Sequence, residues 1–120
     1  MINNELYRYK AEVVSVYDGD TCTLNIDLGF GTWIKGEKVR LVRINAKEMT
    51  GEEKAEGLLA RDFLRDLLLE YKNIYIQTLK DKKEKYGRYL AELIIIKNDG
   101  MELNVNDYLV QNGFAEYKNY

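Results

Sequence analysis

The sequence predicts a mainly β domain with helices, an α+β fold. Three observations carry that prediction: short β-branched or alternating runs recur between turn signals, one long segment bears apolar residues at helical spacing, and a shorter segment near the end is bracketed by helix start and stop residues. A chain of 120 residues is the usual length of one compact domain, so residues 1–120 are expected to share a single core.

The first strand is expected over Lys10 to Val16, where Val13, Val14 and Val16 are β-branched, and it should stop at the turn-forming pair Asp18-Gly19. The second alternates, with Cys22, Leu24, Ile26 and Leu28 on a core face and Thr21, Thr23, Asn25 and Asp27 on a wet one. Gly29, Gly31 and Gly36 then punctuate what reads as a long connection carrying Phe30 and Trp33, and Val39 to Ile44 resumes extended structure, completing a meander. Thr50-Gly51-Glu52-Glu53 has the form of a capping box, so a helix is expected to start there. Ala60, Phe63, Leu64 and Leu67 give it one apolar stripe, Leu59 widens that stripe, and the pattern ends near Glu70. Asn73 to Leu79 and Tyr89 to Lys97 read as two more strands joined by a charged loop, with Ile74 and Ile76 inward. Asn104 with Asp107 starts a second helix and Gly113 is placed to end it in a left-handed C-cap. Five short strands with a helix between strands 3 and 4 and a C-terminal helix is the element order of a five-stranded OB-fold Greek-key barrel.

Composition narrows the chemistry. With 46% hydrophobic and 32% charged residues the chain is an ordinary globular one, which excludes collagenous and disordered classes. There is no histidine and one cysteine, Cys22, so an internal disulfide, the usual zinc sites and Ser-His or Cys-His catalysis are all excluded. Any catalysis must then rest on carboxylates, Arg, Lys and Tyr, with a hard metal ion as the natural cofactor. No apolar run is long enough to span a membrane, and Met1-Ile2-Asn3-Asn4-Glu5 does not look like a signal peptide, so a reducing, cytoplasmic setting is expected. The net charge of −2 argues against nucleic-acid binding through bulk charge. Basic charge is instead local: Lys80 to Arg88 holds five basic residues against two acidic, a net +3, while the helix from Glu52 to Glu70 is net −3.

Three short groups could carry chemistry. Asp18-Gly19-Asp20-Thr21 reads by itself as a hairpin turn. It is not an EF-hand loop, because Gly29 falls where the bidentate glutamate must stand. Arg40 and Glu48 read by themselves as a surface ion pair, and Tyr86-Gly87-Arg88 as a turn. Together, Asp-Gly-Asp-Thr, Arg40-x-x-x-Ile44-x-x-x-Glu48 and Tyr86-Gly87-Arg88 follow the order seen in staphylococcal nuclease, and the sequence resembles the thermonuclease (micrococcal nuclease) family. The resemblance runs from about Lys10 to about Ala115, taking in Leu90-Ala91 and the segment from Leu109 to Ala115, and the glycine-bearing stretch from Asp27 to Trp33 resembles the phage and bacterial intracellular branch.

The resemblance implies an OB-fold enzyme that hydrolyses phosphodiester bonds of DNA and/or RNA with calcium (Ca2+) and leaves 3′-phosphates. Carried over by position, Arg40 and Arg88 become the guanidiniums on the phosphate and Glu48 the base that orients or deprotonates water. Asp20, Asn45 and the Ala46 carbonyl become the calcium ligands, with Asp18 acting through water. Tyr86 is placed to stack on a base, beside Lys85 in the basic loop. The sequence departs from the family pattern at Asn45, where an aspartate is usual, and at Ala46-Lys47, which replaces Thr-Pro. Asn45 keeps an oxygen but removes a charge, which implies weaker calcium binding, and Lys47 either meets substrate phosphate or pairs with Glu48. The family also implies a third helix beyond the second, and the chain stops at Tyr120. Cover for the core is then expected from the connection between Phe30 and Lys38, with Trp33 packing there, or from a partner chain. The rival reading is a non-catalytic OB-fold module with a degenerate metal site that binds nucleic acid or protein; a structural role in a phage assembly is a third.

Overall fold

The computed structural model describes residues 6–118. Met1 to Glu5, read above against a signal peptide, lie outside the described residues. Five long strands form a closed barrel: β1 (Arg8–Asp18), β2 (Thr21–Gly29), β3 (Thr32–Leu41), β5 (Ile74–Lys83) and β6 (Tyr89–Ile96). The order is β3-β2-β1-β5-β6, antiparallel throughout except where β3 and β6 close the barrel in parallel, with Arg40 opposite Leu90. β1 is shared by β2 and β5, and two bulges, at Val13/Ser15 and Val16/Asp18, bend it around the barrel. The expected OB architecture is therefore present, with α1 (Lys54–Glu70) between the third and fourth long strands and α2 (Val105–Gln111) near the C-terminal end.

The core lies inside the barrel and under the two helices. Leu24, Leu41, Ile76, Leu93 and Ile95 from the strands meet Leu64 of α1 and Leu109 of α2, all fully buried. β2 alternates as expected, with Cys22, Leu24 and Ile26 inward, but Leu28 is 41% exposed because the hairpin runs past the barrel rim. Each of the large core residues contributes about 1.5–3 kcal/mol by leaving water.

Several boundaries differ from the sequence expectation. The glycine-rich stretch is a two-residue turn, not a long connection: Phe30 and Gly31 both take positive φ, 55° and 76°, which suits the twist of a tight hairpin, and β3 starts at Thr32. Trp33 is on this hairpin opposite Asp27, half-buried, with the Lys35 ammonium 5.5 Å from its ring, and does not join the core. The third strand breaks before Ile44, since Arg43 takes φ 68° and the chain restarts as β4 (Ile44–Ala46). β4 pairs with β8 (Ala115–Tyr117), and β6 gains β7 (Glu102–Asn104); these three-residue strands are too short to leave a period in the sequence. β5 runs on to Lys83 through a bulge at Lys80 and Asp81, both at positive φ, where Tyr9 Oη donates to Asp81 at 2.8 Å.

The capping box does not form. Thr50 makes no side-chain cap, a 3₁₀ turn covers Gly51–Glu53, and α1 starts at Lys54. Glu53 reaches further back instead, accepting from the Glu48 N–H at 3.2 Å and pairing with Lys47. α1 buries Gly57, Ala60, Leu64, Leu67 and Leu68, whereas Leu59 is 61% exposed and widens nothing. Phe63 stacks on Phe114 at 4.4 Å, which joins α1 to the segment after α2. α2 behaves as read: Asn104 Oδ1 accepts from the Asp107 N–H at 3.0 Å. At its other end Gly113 (φ 81°) and Phe114 donate back to Val110 and Leu109, a Schellman ending. No helix among the described residues is long and apolar enough to cross a membrane.

Candidate active site

The turn between β1 and β2 approaches α1 and β4 closely because three small residues meet there. A Cβ on Gly19 would stand 2.7 Å from Ala46 Cβ and 2.9 Å from Ala60 Cβ, so only glycine fits. This nesting carries Asp20 inward, where its Oδ2 accepts from the Ala46 N–H at 2.8 Å and its carbonyl accepts from the Leu41 N–H at 2.8 Å. Asp18 Oδ1 in turn accepts from the Asp20 N–H at 3.0 Å. Burial, then the neighbouring Asp18 carboxylate, pushes Asp20 up to about 6, against the opposing pull of the Ala46 N–H and Arg40.

Arg40 enters from β3, opposite Thr21 in register. Its Nη1 donates to the Leu41 carbonyl at 2.6 Å and lies 3.4 Å from Asp20 Oδ2, while Nη2 donates to Asn45 Oδ1 at 3.3 Å. Arg88 arrives from the β5–β6 loop, with Nη1 donating to Thr21 Oγ1 at 3.4 Å and Nε and Nη2 on Glu84. The structure thus brings Asp18, Asp20, Arg40, Asn45, Ala46 and Arg88 to one end of β2. Glu48 is on the loop after β4, exposed, and its carboxylate takes no hydrogen bond or ion pair among the described residues. Its neighbour Lys47 pairs with Glu53 at 3.5 Å and so does not pair with Glu48. Tyr86 is 70% exposed, with the Lys85 ammonium 5.1 Å and the Arg88 guanidinium 5.7 Å from its ring.

The donors beside Arg40 are all oxygen: the Asp18 and Asp20 carboxylates, the Asn45 amide and the Ala46 main chain. Among the described residues no cluster of three acidic, histidine or cysteine side chains forms. Oxygen donors of this kind suit a hard divalent cation, and the raised Asp20 shows that burial and the nearby Asp18 carboxylate outweigh the Ala46 N–H and Arg40 there.

A family model described as staphylococcal nuclease homologue matches residues 38–120, more than half of the chain. The chain belongs to the staphylococcal nuclease family. The match takes in Arg40, Glu48 and Tyr86-Gly87-Arg88 and begins beyond the Asp18–Thr21 turn. The chain is also similar to endonuclease YhcR of Bacillus subtilis (strain 168), 31% identical over 115 residues, which is 89% of this chain and 9% of that protein's length.

In this staphylococcal nuclease family member, the positioning roles of four residues escape a reading of the sequence. Glu84 organises the basic loop: its Oε1 accepts from the Tyr86 and Arg88 N–H groups at 3.1 and 2.9 Å, and its Oε2 takes Arg88 Nη2 at 3.0 Å. These hydrogen bonds, above all from the Arg88 side chain, hold Glu84 down to about 2. In the sequence it counts only as a charge, although its spacing four residues before Arg88 was there to be seen. Thr21 joins Asp20, at 3.3 Å, to Arg88. Gly57 lets α1 touch the Glu48–Met49 main chain, which any Cβ would strike, and a glycine inside an apolar helical pattern was the available signal. Glu53 ties down the Glu48 N–H.

Proposed function

We propose that residues 1–120 form a single staphylococcal-nuclease-like domain that hydrolyses phosphodiester bonds of DNA and/or RNA in a calcium-dependent reaction, acting as an endonuclease and leaving 3′-phosphates. One observation carries the reading: two guanidiniums, Arg40 from β3 and Arg88 from the β5–β6 loop, converge on Asp20 and Thr21, with the Glu48 carboxylate, unpaired among the described residues, on the adjoining loop. The name endonuclease carried by YhcR supports it.

A phosphodiester has no group the protein must attack covalently, so the site needs charge stabilisation and an oriented water. Arg40 and Arg88 supply planar donors that match phosphate oxygens as negative charge grows on them. Arg40 leaves Asn45 and Asp20 to reach that phosphate, and its bond to the Leu41 carbonyl holds the side chain nearby. Glu48, exposed on its loop, takes the proton of the attacking water. Tyr86 offers its face to a base and Lys85 its charge to a flanking phosphate; Lys47 is kept by Glu53 at the rim. Asp20, Asn45 and the Ala46 carbonyl, with Asp18 behind them, would hold calcium, which when bound neutralises phosphate and favours an activated water.

Asn45 favours a second reading, a non-catalytic OB module: it contributes no charge and is already engaged by Arg40. Cleavage of single-stranded DNA in millimolar calcium, in chelator, and by Glu48→Gln and Arg88→Ala separates the two. Calcium-dependent cleavage lost in both variants supports the nuclease; binding without cleavage by the wild type puts the module in its place.

A further inference from the structure

Beside the site, the outer face of β1, β2 and β3 opens a groove of about 380 Å³ that the catalytic reading does not use. Ser15, Tyr17, Thr21, Thr23, Lys38 and Arg88 line it. Thr21 and Arg88 belong to the proposed phosphate site as well and are joined there at 3.4 Å, so the groove is continuous with that site. The sheet register orders the rest. Thr21 is opposite Arg40, and on the next outward rung Thr23 is opposite Lys38 on one side and Ser15 on the other.

Lys38 therefore follows Arg40 at two residues' rise, about 7 Å along β3 on the same face. That is a step comparable to one nucleotide of an extended strand. The lining holds two cations and no carboxylate, in a chain whose net charge is −2. Tyr17, 68% exposed, offers an aromatic face at the same groove, and the three hydroxyls are of the kind that bond sugar and phosphate oxygens. Base stacking on Tyr17 requires an unstacked base, which a single strand provides and a duplex does not.

Resting on the nuclease reading, we propose that this groove is a second substrate subsite, binding the nucleotide next to the scissile bond of a single-stranded nucleic acid, with its phosphate on Lys38 and its base on Tyr17. The strand would then pass from Tyr86 across Arg88 to Tyr17, flanking the reacting phosphate on both sides.

The test is fluorescence anisotropy with labelled octathymidylate and octauridylate, the DNA and RNA forms, and with a labelled dinucleotide, using Glu48→Gln protein in chelator so that nothing is cleaved. Lys38→Ala is expected to weaken octanucleotide binding about fivefold and to flatten the salt dependence by about 0.7 in slope, the share of one phosphate contact on a single strand. Tyr17→Ala should weaken it about fivefold or more, and Tyr17→Phe should restore it, because stacking uses the ring and not the hydroxyl. The Lys38→Ala loss should be larger for the octanucleotides than for the dinucleotide, whose one phosphate is taken by the proposed phosphate site. Lys72→Ala, in the connection after α1, removes the same charge and should change neither. Both groove residues are exposed and Lys38→Gln provides a second charge deletion, so the result does not depend on one variant folding. Equal Lys38→Ala losses on long and short probes, no loss on the octanucleotides, or Tyr17→Phe falling as far as Tyr17→Ala overturns the subsite. If the wild type cleaves oligonucleotides while the groove variants bind normally, the subsite alone fails; if the wild type neither binds nor cleaves them, the nuclease reading fails with it.

Discussion

Arg40 and Arg43 are three residues apart in sequence and are used in opposite ways. Arg43 sits at φ 68° between β3 and β4, and its guanidinium takes Glu92 through Nε and Nη2 at 2.6 and 2.7 Å and Asp107 through Nη1 at 2.9 Å. Tyr117 Oη closes the group by donating to Asp107 at 2.9 Å. Burial works against the Asp107 charge, but the bonds from Arg43 and Tyr117 outweigh it and hold its carboxyl below the ordinary value. This group fastens the β3–β4 connection, β6, α2 and β8 together. Arg40 has longer contacts with its side-chain partners, 3.3 and 3.4 Å, and the carboxylate beside it is raised, not lowered. Matched charge with short bidentate geometry marks an arginine that holds the fold; an arginine beside a buried carboxyl held at a raised pKa marks a candidate functional site.

The sharpest way to break this contrast is to remove each arginine in turn. Arg40→Ala is expected to lower kcat/KM for single-stranded DNA by about 10²–10³-fold, the usual cost of one transition-state donor. Arg43→Ala should leave kcat/KM within about threefold. Equal losses of activity would erase the distinction. Gly57→Ala comes next in size: the added methyl strikes the Glu48–Met49 main chain, so a loss of about 2–4 kcal/mol in denaturant melts is expected, with activity falling further than the unfolded fraction explains.

Asp20→Asn examines the raised, buried carboxyl directly. Because Asp20 is raised from 3.8 to about 6, the folded protein holds that proton more tightly than the unfolded chain does. Stability conferred by the protonated form is complete below about pH 4 and is lost as pH rises through about 6, on the order of 2–3 kcal/mol. The variant should be more stable than wild type at pH 7 and lack this decline; parallel urea melts from pH 4 to 8 that show the same slope for both proteins would refute the raised carboxyl. Arg43→Ala, whose side chain is 44% exposed and therefore partly screened, should cost a smaller 1–2 kcal/mol, roughly the worth of its paired contacts. The smallest effect is expected from Asn45→Asp, which restores a charge beside Asp20 and should tighten calcium several-fold in a titration followed by calorimetry. No change there would mean that position 45 is not a ligand.

Much of this was legible along the chain. The inward alternation of Cys22, Leu24 and Ile26, the stripe through Ala60, Leu64 and Leu67, and the Asn104 and Gly113 helix ends are local regularities, set by neighbours within a turn or a strand pair, and each appears in the structure. The Thr50 capping box was equally regular and failed, because Glu53 finds Lys47 and the Glu48 N–H and leaves the threonine uncapped. Three groups of motif residues were visible by type and order, and Arg40, Arg88 and Asp20 do gather.

What the sequence by itself determined is the five long strands and two helices, though not all their bounds, and the chemical types of the candidate site: oxygen donors, guanidiniums and a carboxylate, with no histidine available. Only the tertiary structure decided how they are held. The pairing of β4 with β8, the closure of Gly19 on Ala46 and Ala60, the seat of the Glu48 loop on Gly57 and the ladder that sets Lys38 one rung from Arg40 join residues far apart in the chain. Such contacts leave no periodicity to read, because their energy comes from packing and charge between segments and not from the conformational preference of any one of them.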